Sequence, residues 1–308
     1  MTGFFFIFSK KTLMKSKCFI TFLDSRIAYL EQCGRIGTSL NYLRAKSSLL
    51  RFLGGKPLKI SDITPAFVEK YSDWLMSSGM KRNSASFYLR ILRAVFNKAV
   101  RMGLAKQSSP FQGVYTGVDT TRKRSVNCEI VRKLMAMNFE PGSGLEMSRD
   151  LFLFSLYSRG MSFVDMAFLK KSNVSQDTLE YVRRKTGQPM RVHLEPMHHN
   201  IMKKYRDTES QYIFPVMKDE DYRDYTRHLS AFNYYLGKIS ELMESPVKLT
   251  SYTARHTWAT LARNRDVPLA VISAALGHNS ESTTRIYLAS LENEVVDKAN
   301  KGLIDSLA

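Results

Sequence analysis

From about Ser16 to Gly103 the apolar residues return at steps of three and four, and this period constrains the fold more than any other feature of the chain. Such spacing lays side chains along one stripe of an α-helix, whereas a half-buried strand needs strict alternation. Local stop and start signals cut the stripe into four pieces. The first holds Cys18, Phe19, Ile20, Phe22, Leu23, Ile27 and Leu30 and is closed by Gly34. A second helix is predicted over about Ser39–Leu53, ended by Gly54-Gly55, because glycine takes the left-handed backbone that terminates helices. The third starts with Thr64 as N-cap and Pro65 at the first helical position, ahead of Phe67, Val68, Tyr71, Trp74 and Leu75. The fourth runs from about Ser84 to Met102, with Phe87-Tyr88, Ile91-Leu92, Val95-Phe96 and Ala99-Val100 turned inward and Arg90, Arg93 and Arg101 elsewhere on its surface.

No period survives from Gln107 to Thr121, a polar stretch capped by Arg122-Lys123-Arg124 that reads as an interdomain linker. With 308 residues the chain is long enough for two domains. The second starts near Ser125, with helices predicted over about Cys128–Met137 and Met147–Ser158. A hairpin follows: Thr178–Arg184, a turn through Lys185-Thr186-Gly187-Gln188, and Met190–Leu194. Further helices are expected near Met197–Tyr205, Asp221–Met243, Thr253–Arg263, Pro268–Leu276, Ser282–Leu288 and Glu292–Ile304. The expected fold class is therefore mainly α with a small β-sheet. There is no βαβ alternation, no G-x-G-x-x-G and no G-x-x-x-x-G-K-[ST], so nucleotide chemistry has no visible seat.

Charge points to the partner. The chain carries a formal net charge of +18, and residues 1–110 hold 19 basic against 5 acidic side chains while 111–308 hold 27 against 23. A surface this basic repels itself, and a polyanion relieves the strain. The front third is thus the stronger candidate for gripping phosphates. Cys18, Cys33 and Cys128 are scattered, without a C-x-x-C pair, which fits a reducing compartment and argues against a disulfide or zinc scaffold. Phe4–Phe8 is too short to span a bilayer, and residues 1–15 read as a short extension with Met14 as an alternative start. The expectation is a soluble, cytosolic protein with no membrane contact.

The informative stretch is Leu249 to Leu288. It reads T-S-Y-T-A-R-H-T-W-A-T-L-A and then L-G-H-N-S-E-S-T-T-R-I-Y-L, with Tyr287 nine residues after His278. These boxes resemble those of the tyrosine recombinases, or phage-type integrases, whose pattern is H-x-x-R-H-x-x-A-T, then L-G-H, then a Tyr nine residues on. The resemblance extends over nearly the whole chain. It implies an N-terminal four-helix SAM-like core-binding domain over 16–106, a linker over 107–124, a mixed α/β catalytic domain over 125–290 and a C-terminal tail helix over 291–308. A phosphodiester broken without a metal needs cations for its developing charge, a nucleophile that stores the bond energy covalently, and an acid for the leaving hydroxyl.

By resemblance, Tyr287 is the nucleophile, Arg255 the second phosphate-clamping arginine and His278 a donor to a non-bridging oxygen. Lys185 stands at the hairpin lysine, the general acid. No metal or cofactor is implied. The sequence departs from the family pattern twice. Tyr252 stands where the family has a histidine three residues before Arg255; a phenol can donate a hydrogen bond but carries protons poorly near pH 7, and His256 is the other group that could take that task. The first-arginine box, G-L-R-x-S-[DE]-[IL] in the family, is here S-R-G-M-S-F-V-D-M-A-F-L, so Ser162 stands at the arginine. Such a Ser resembles the integrase and invertase branch of mobile elements in anaerobic gut bacteria. Arg159 lies one helical turn before Ser162 and is expected to supply the missing charge, with Arg183 or Arg184 as the other donors; Asp165 would hold an arginine in place.

The implied partners are a double-stranded DNA recombination site, a homotetramer on that DNA and, for some reactions, accessory DNA-bending proteins. Affinity should come mostly from phosphate contacts and fall steeply with salt. The short extension favours an invertase on inverted repeats over an integrase with distant arm sites. Three alternatives stand beside this reading: a type IB topoisomerase-like enzyme, which shares the Arg, Lys, His and Tyr chemistry and relaxes DNA; a regulator that keeps the basic helical domain and only binds; and a metal-dependent nuclease or transposase, which would lose activity in EDTA. His198-His199 is poor metal bait, because neighbours on a helix point in different directions.

Overall fold

The computed structural model describes residues 17–119, 125–207, 209–278 and Thr284. The chain divides into two compact units, residues 1–120 and 121–308. In the first, helices α1 (Phe19–Gln32), α2 (Ile36–Leu53), α3 (Pro65–Ser77) and α4 (Arg82–Arg101) follow the four predicted pieces. Thr64 caps α3 as expected, its Oγ1 accepting from the Phe67 N–H at 3.2 Å. Phe19, Phe22, Leu23, Leu49, Leu75 and Phe96 share one core. The Tyr71 hydroxyl enters that core by donating to Ser48 Oγ at 2.9 Å, and burial pushes its pKa up to about 12. Phe87, expected inside, is 37% exposed; the rest of the α4 stripe holds, with Ile91, Leu92, Val95, Phe96 and Ala99 buried and Ala85 and Leu89 completing it.

The stretch after α4, read as a linker, is largely folded onto the first unit. Phe111 is buried and lies 6.3 Å from the Phe96 ring. Asn83 and Asp119 exchange two hydrogen bonds, 2.7 and 3.1 Å. Ser86 Oγ donates to the Gly117 carbonyl, and Arg93 Nη1 to Thr116 Oγ1 at 2.9 Å. Side-chain partners that a periodicity search cannot see account for this order.

In the second unit, α5 (Cys128–Ala136) precedes α6 (Gly144–Tyr157), whose Leu151–Leu156 are all buried. A helix apolar on every side belongs inside, and α6 packs against α8 (Pro196–Lys204), α9 (Tyr222–Leu242) and α10 (Thr253–Arg263). Asp150 on α6, buried, is satisfied by Arg149 Nε, Lys204 Nζ and the Tyr205 hydroxyl at 2.7–2.8 Å, since a buried carboxylate persists only when paired. The short α7 (Phe163–Ala167) was not predicted. The sheet is a three-stranded antiparallel meander of β1 (Val174–Ser175), β2 (Thr178–Val182) and β3 (Pro189–His193). Leu179 opposes Val192 on the core face, so the hairpin read from alternation is present with one extra edge strand. Helix α11 (Leu269–Leu276) closes the described part. Tyr287, the tail 291–308 and residues 1–16 lie outside the described residues.

Candidate active site

Four segments distant in sequence supply the site, and each is shaped by a local rule. Helix α6 stops at Tyr157 because Arg159 and Gly160 both take positive φ, +58° and +72°. The Gly160 N–H returns to the Ser155 carbonyl at 2.8 Å, closing a Schellman turn. Gly160 is needed here. A Cβ on it would lie 2.7 Å from Arg255 Cα, so the turn rests directly on the backbone of α10. Arg255, buried, returns the contact by donating from Nη1 to the Gly160 carbonyl at 3.0 Å.

Helix α11 ends at Gly277, left-handed at φ +60°. Its last carbonyls have no helical partner and carry the negative end of the helix dipole. Two guanidinium groups take them up. Arg183 Nη1 donates to the Leu276 and Gly277 carbonyls at 2.9 and 2.5 Å. Arg255 Nη2 donates to the same Leu276 carbonyl. A Cβ on Gly277 would lie 2.7 Å from Arg183 Cδ. Arg183 is only 5% exposed, and its Nε faces the buried Asp165 carboxylate at 3.8 Å. Asp165 also accepts from Ser162 Oγ at 2.6 Å and from the Arg184 N–H at 2.9 Å. Among the described residues two arginines face one carboxylate, which gathers positive charge at the end of α11. An anion would neutralise it.

His278 stands beside the pair. Its Nε2 is 3.1 Å from Arg255 Nη2 and its Nδ1 is 2.7 Å from Thr284 Oγ1. Burial, with Arg255, Arg183 and Lys185 adding to it, pushes its pKa down to about 4. Lys185 is exposed at the hairpin turn, yet its charge reaches the imidazole. Tyr181 on β2 is driven well above the ordinary phenol range by burial and then by Asp165, against the opposing charges of Arg183, Arg255 and Arg159.

Of the residues singled out from sequence, Arg255, His278 and Lys185 come together. Tyr252 precedes α10 and is 41% exposed, its ring 5.5 Å from that of His256. Arg159 and Ser162 do not share a helical face, because α6 has ended before either; Arg159 is half-buried in the turn. Arg184 is turned elsewhere, stacked 3.8 Å over the Phe168 ring and 3.2 Å from Glu220. Arg183, a secondary reading from sequence, is the guanidinium inside the cluster. Thr284 was missed altogether; its signal was a hydroxyl three residues before the final tyrosine. His198 is buried against Phe154 and Tyr157, and His199 pairs with Asp177 at 2.9 Å.

Residues 18–114 match the phage integrase SAM-like domain and residues 128–294 match the phage integrase family. The chain belongs to the phage integrase family. It is 24% identical over 274 residues to a tyrosine recombinase of Pseudothermotoga lettingae, covering 86% of this chain and 91% of the relative. It is 23% identical over 264 residues to the tyrosine recombinase XerD of Vibrio cholerae, covering 81% and 84%. Among solved structures, a lambda integrase (75–356) dimer bound to a COC' core site superposes with a TM-score of 0.66 at 17% identity, covering 88% of this chain and 95% of that one. A lambda integrase tetramer bound to a Holliday junction gives 0.65 at 17% identity, covering 86% and 79%. The integrase fold thus accounts for both units, the helical first and the mixed second.

Proposed function

We propose that this integrase-family chain is a site-specific DNA recombinase that cuts and reseals strands through a 3′-phosphotyrosyl ester, without metal or ATP. The observation that carries the reading is the convergence of Arg183, Arg255 and His278 on the carboxyl end of α11. Guanidinium forks suit the non-bridging oxygens of a phosphate and stabilise charge that develops during attack. Arg255 and Arg183 would take those oxygens, with Arg183 in the place of the family's first arginine and Arg159 a cation in the turn behind. The Tyr287 oxygen attacks phosphorus, the bond to the 5′ oxygen breaks, and Lys185 gives that oxygen its proton. Attack by a 5′-hydroxyl of the partner strand reverses the step. Tyr252 contributes a phenolic hydrogen bond where the family uses histidine.

The basic 16–106 region would grip the duplex with the catalytic domain, and four copies would assemble on paired sites in the bacterial cytoplasm, as the lambda tetramer on its junction suggests. Accessory DNA-bending proteins would serve reactions that must bring distant sites together. The test uses DNA flanking the chain's own gene, labelled at the 5′ end of the cut strand and nicked just 3′ of the cut. Label should stay with the protein on a denaturing gel, EDTA should not prevent it, and Tyr287→Phe should abolish it. Retention of label by Tyr287→Phe, or loss of activity in EDTA, refutes the proposal. Relaxation of any supercoiled plasmid without a defined site would instead favour topoisomerase-like action.

A further inference from the structure

Two described contacts of the His278 ring, with Arg255 and Thr284, bear on which nitrogen carries its proton. Arginine only donates, so Arg255 Nη2, 3.1 Å away, makes Nε2 an acceptor. The proton of the neutral ring then sits on Nδ1 and points to Thr284 Oγ1 at 2.7 Å. Thr284 is fully buried, which holds its hydroxyl in place. Burial and the surrounding Arg255, Arg183 and Lys185 keep the ring neutral far below pH 6.5.

That resting state is wrong for donation to DNA. To give a hydrogen bond to a phosphate oxygen, Nε2 must carry a proton, so as the phosphate takes over Arg255 the ring takes a proton from water at Nε2 and releases its Nδ1 proton to water, ending as the other tautomer. Only some partners at Nδ1 allow this. A carbonyl or carboxylate accepts only, and would lock the resting tautomer. A hydroxyl has one donor and two acceptor sites and can rotate between them. We propose that Thr284 is a positioning residue that holds the His278 ring and lets it exchange tautomers when the scissile phosphate enters.

The consequence for cleavage rests on the recombinase reading above; the hydrogen bond does not. Nuclear magnetic resonance of the full chain with isotope-labelled histidine should show a His278 Nδ1–H protected from exchange. Thr284→Ser should keep it and Thr284→Val should lose it; an unchanged signal in Thr284→Val overturns the proposal whatever happens with DNA. Single-turnover cleavage of the nicked flanking duplex should be ~10- to 100-fold slower in Thr284→Val, the worth of one hydrogen bond to a charged or polarised group, and should recover in Thr284→Ser. In a His278→Phe background, Thr284→Val should add nothing; an equal loss there would mean general packing and also overturns the proposal. If wild-type protein forms no adduct at all, the recombinase reading fails while the resonance experiment still decides the role of Thr284.

Discussion

Gly160→Ala tests whether the turn after α6 positions Arg255 by direct contact. Gly160 has φ +72°, and an added Cβ would meet Arg255 Cα at 2.7 Å, Cγ at 2.9 Å and Cβ at 3.0 Å. Left-handed backbone costs a non-glycine residue about 1–2 kcal/mol. The overlap adds about 1–3 kcal/mol, because the nearest atom is backbone and cannot rotate away. The sum, about 2–5 kcal/mol, should appear as a lower urea midpoint. Gly142→Ala supplies the control, since Gly142 has φ +77° with nothing within 4 Å of its missing Cβ. It carries the backbone cost without the overlap. Backing the turn away from α10 also stretches the 3.0 Å bond from Arg255 to the Gly160 carbonyl. A misplacement of about 1 Å can cost about 100-fold in rate, so single-turnover cleavage should fall in Gly160→Ala and hold in Gly142→Ala. Equal stability and equal cleavage in the two variants would refute the contact as the device that sets Arg255.

Arg183→Lys should cut cleavage at least about 100-fold with DNA affinity nearly unchanged, because an ammonium cannot span the two α11 carbonyls and a phosphate together; a severe loss in Arg159→Ala with normal cleavage in Arg183→Lys would instead move the first-arginine role to the turn. His278 should titrate near pH 4 in the DNA-free protein. Its folded pKa lies below the unfolded 6.5, so the stability tied to the neutral ring is complete above about 6.5 and is lost as pH falls toward 4. Following the ring proton across pH 3–8 checks this, and an ordinary midpoint near about 6.5 would contradict the cationic, buried setting described for it.

Much of the fold was legible because it rests on local rules. The Thr64-Pro65 start of α3, the limits of α10 and the β2–β3 hairpin all follow from residues within a few positions of one another. Phe87 lies at the exposed edge of a stripe whose Ile91, Leu92, Val95, Phe96 and Ala99 are buried as read. Residues 107–124 show no period of their own, and within them Thr116, Gly117 and Asp119 are held by Asn83, Ser86 and Arg93, which lie on a helix already passed. Arg159 and Ser162 are read as sharing a helical face, whereas the chain makes a left-handed turn between α6 and α7 at that point.

For the site, the chain's own order of residues carries the proposed chemistry: the R-H, L-G-H and Tyr287 spacing, the excess of basic charge and the lysine in a glycine-containing turn. Only tertiary structure decided which cation joins Arg255. Arg183 qualifies because α11 ends in two unpaired carbonyls that attract positive charge, and because Gly277 leaves room for its stem. Such a choice depends on atoms 93 and 94 residues apart along the chain. Periodicity and motif spacing report only on neighbours, so packing alone could make it.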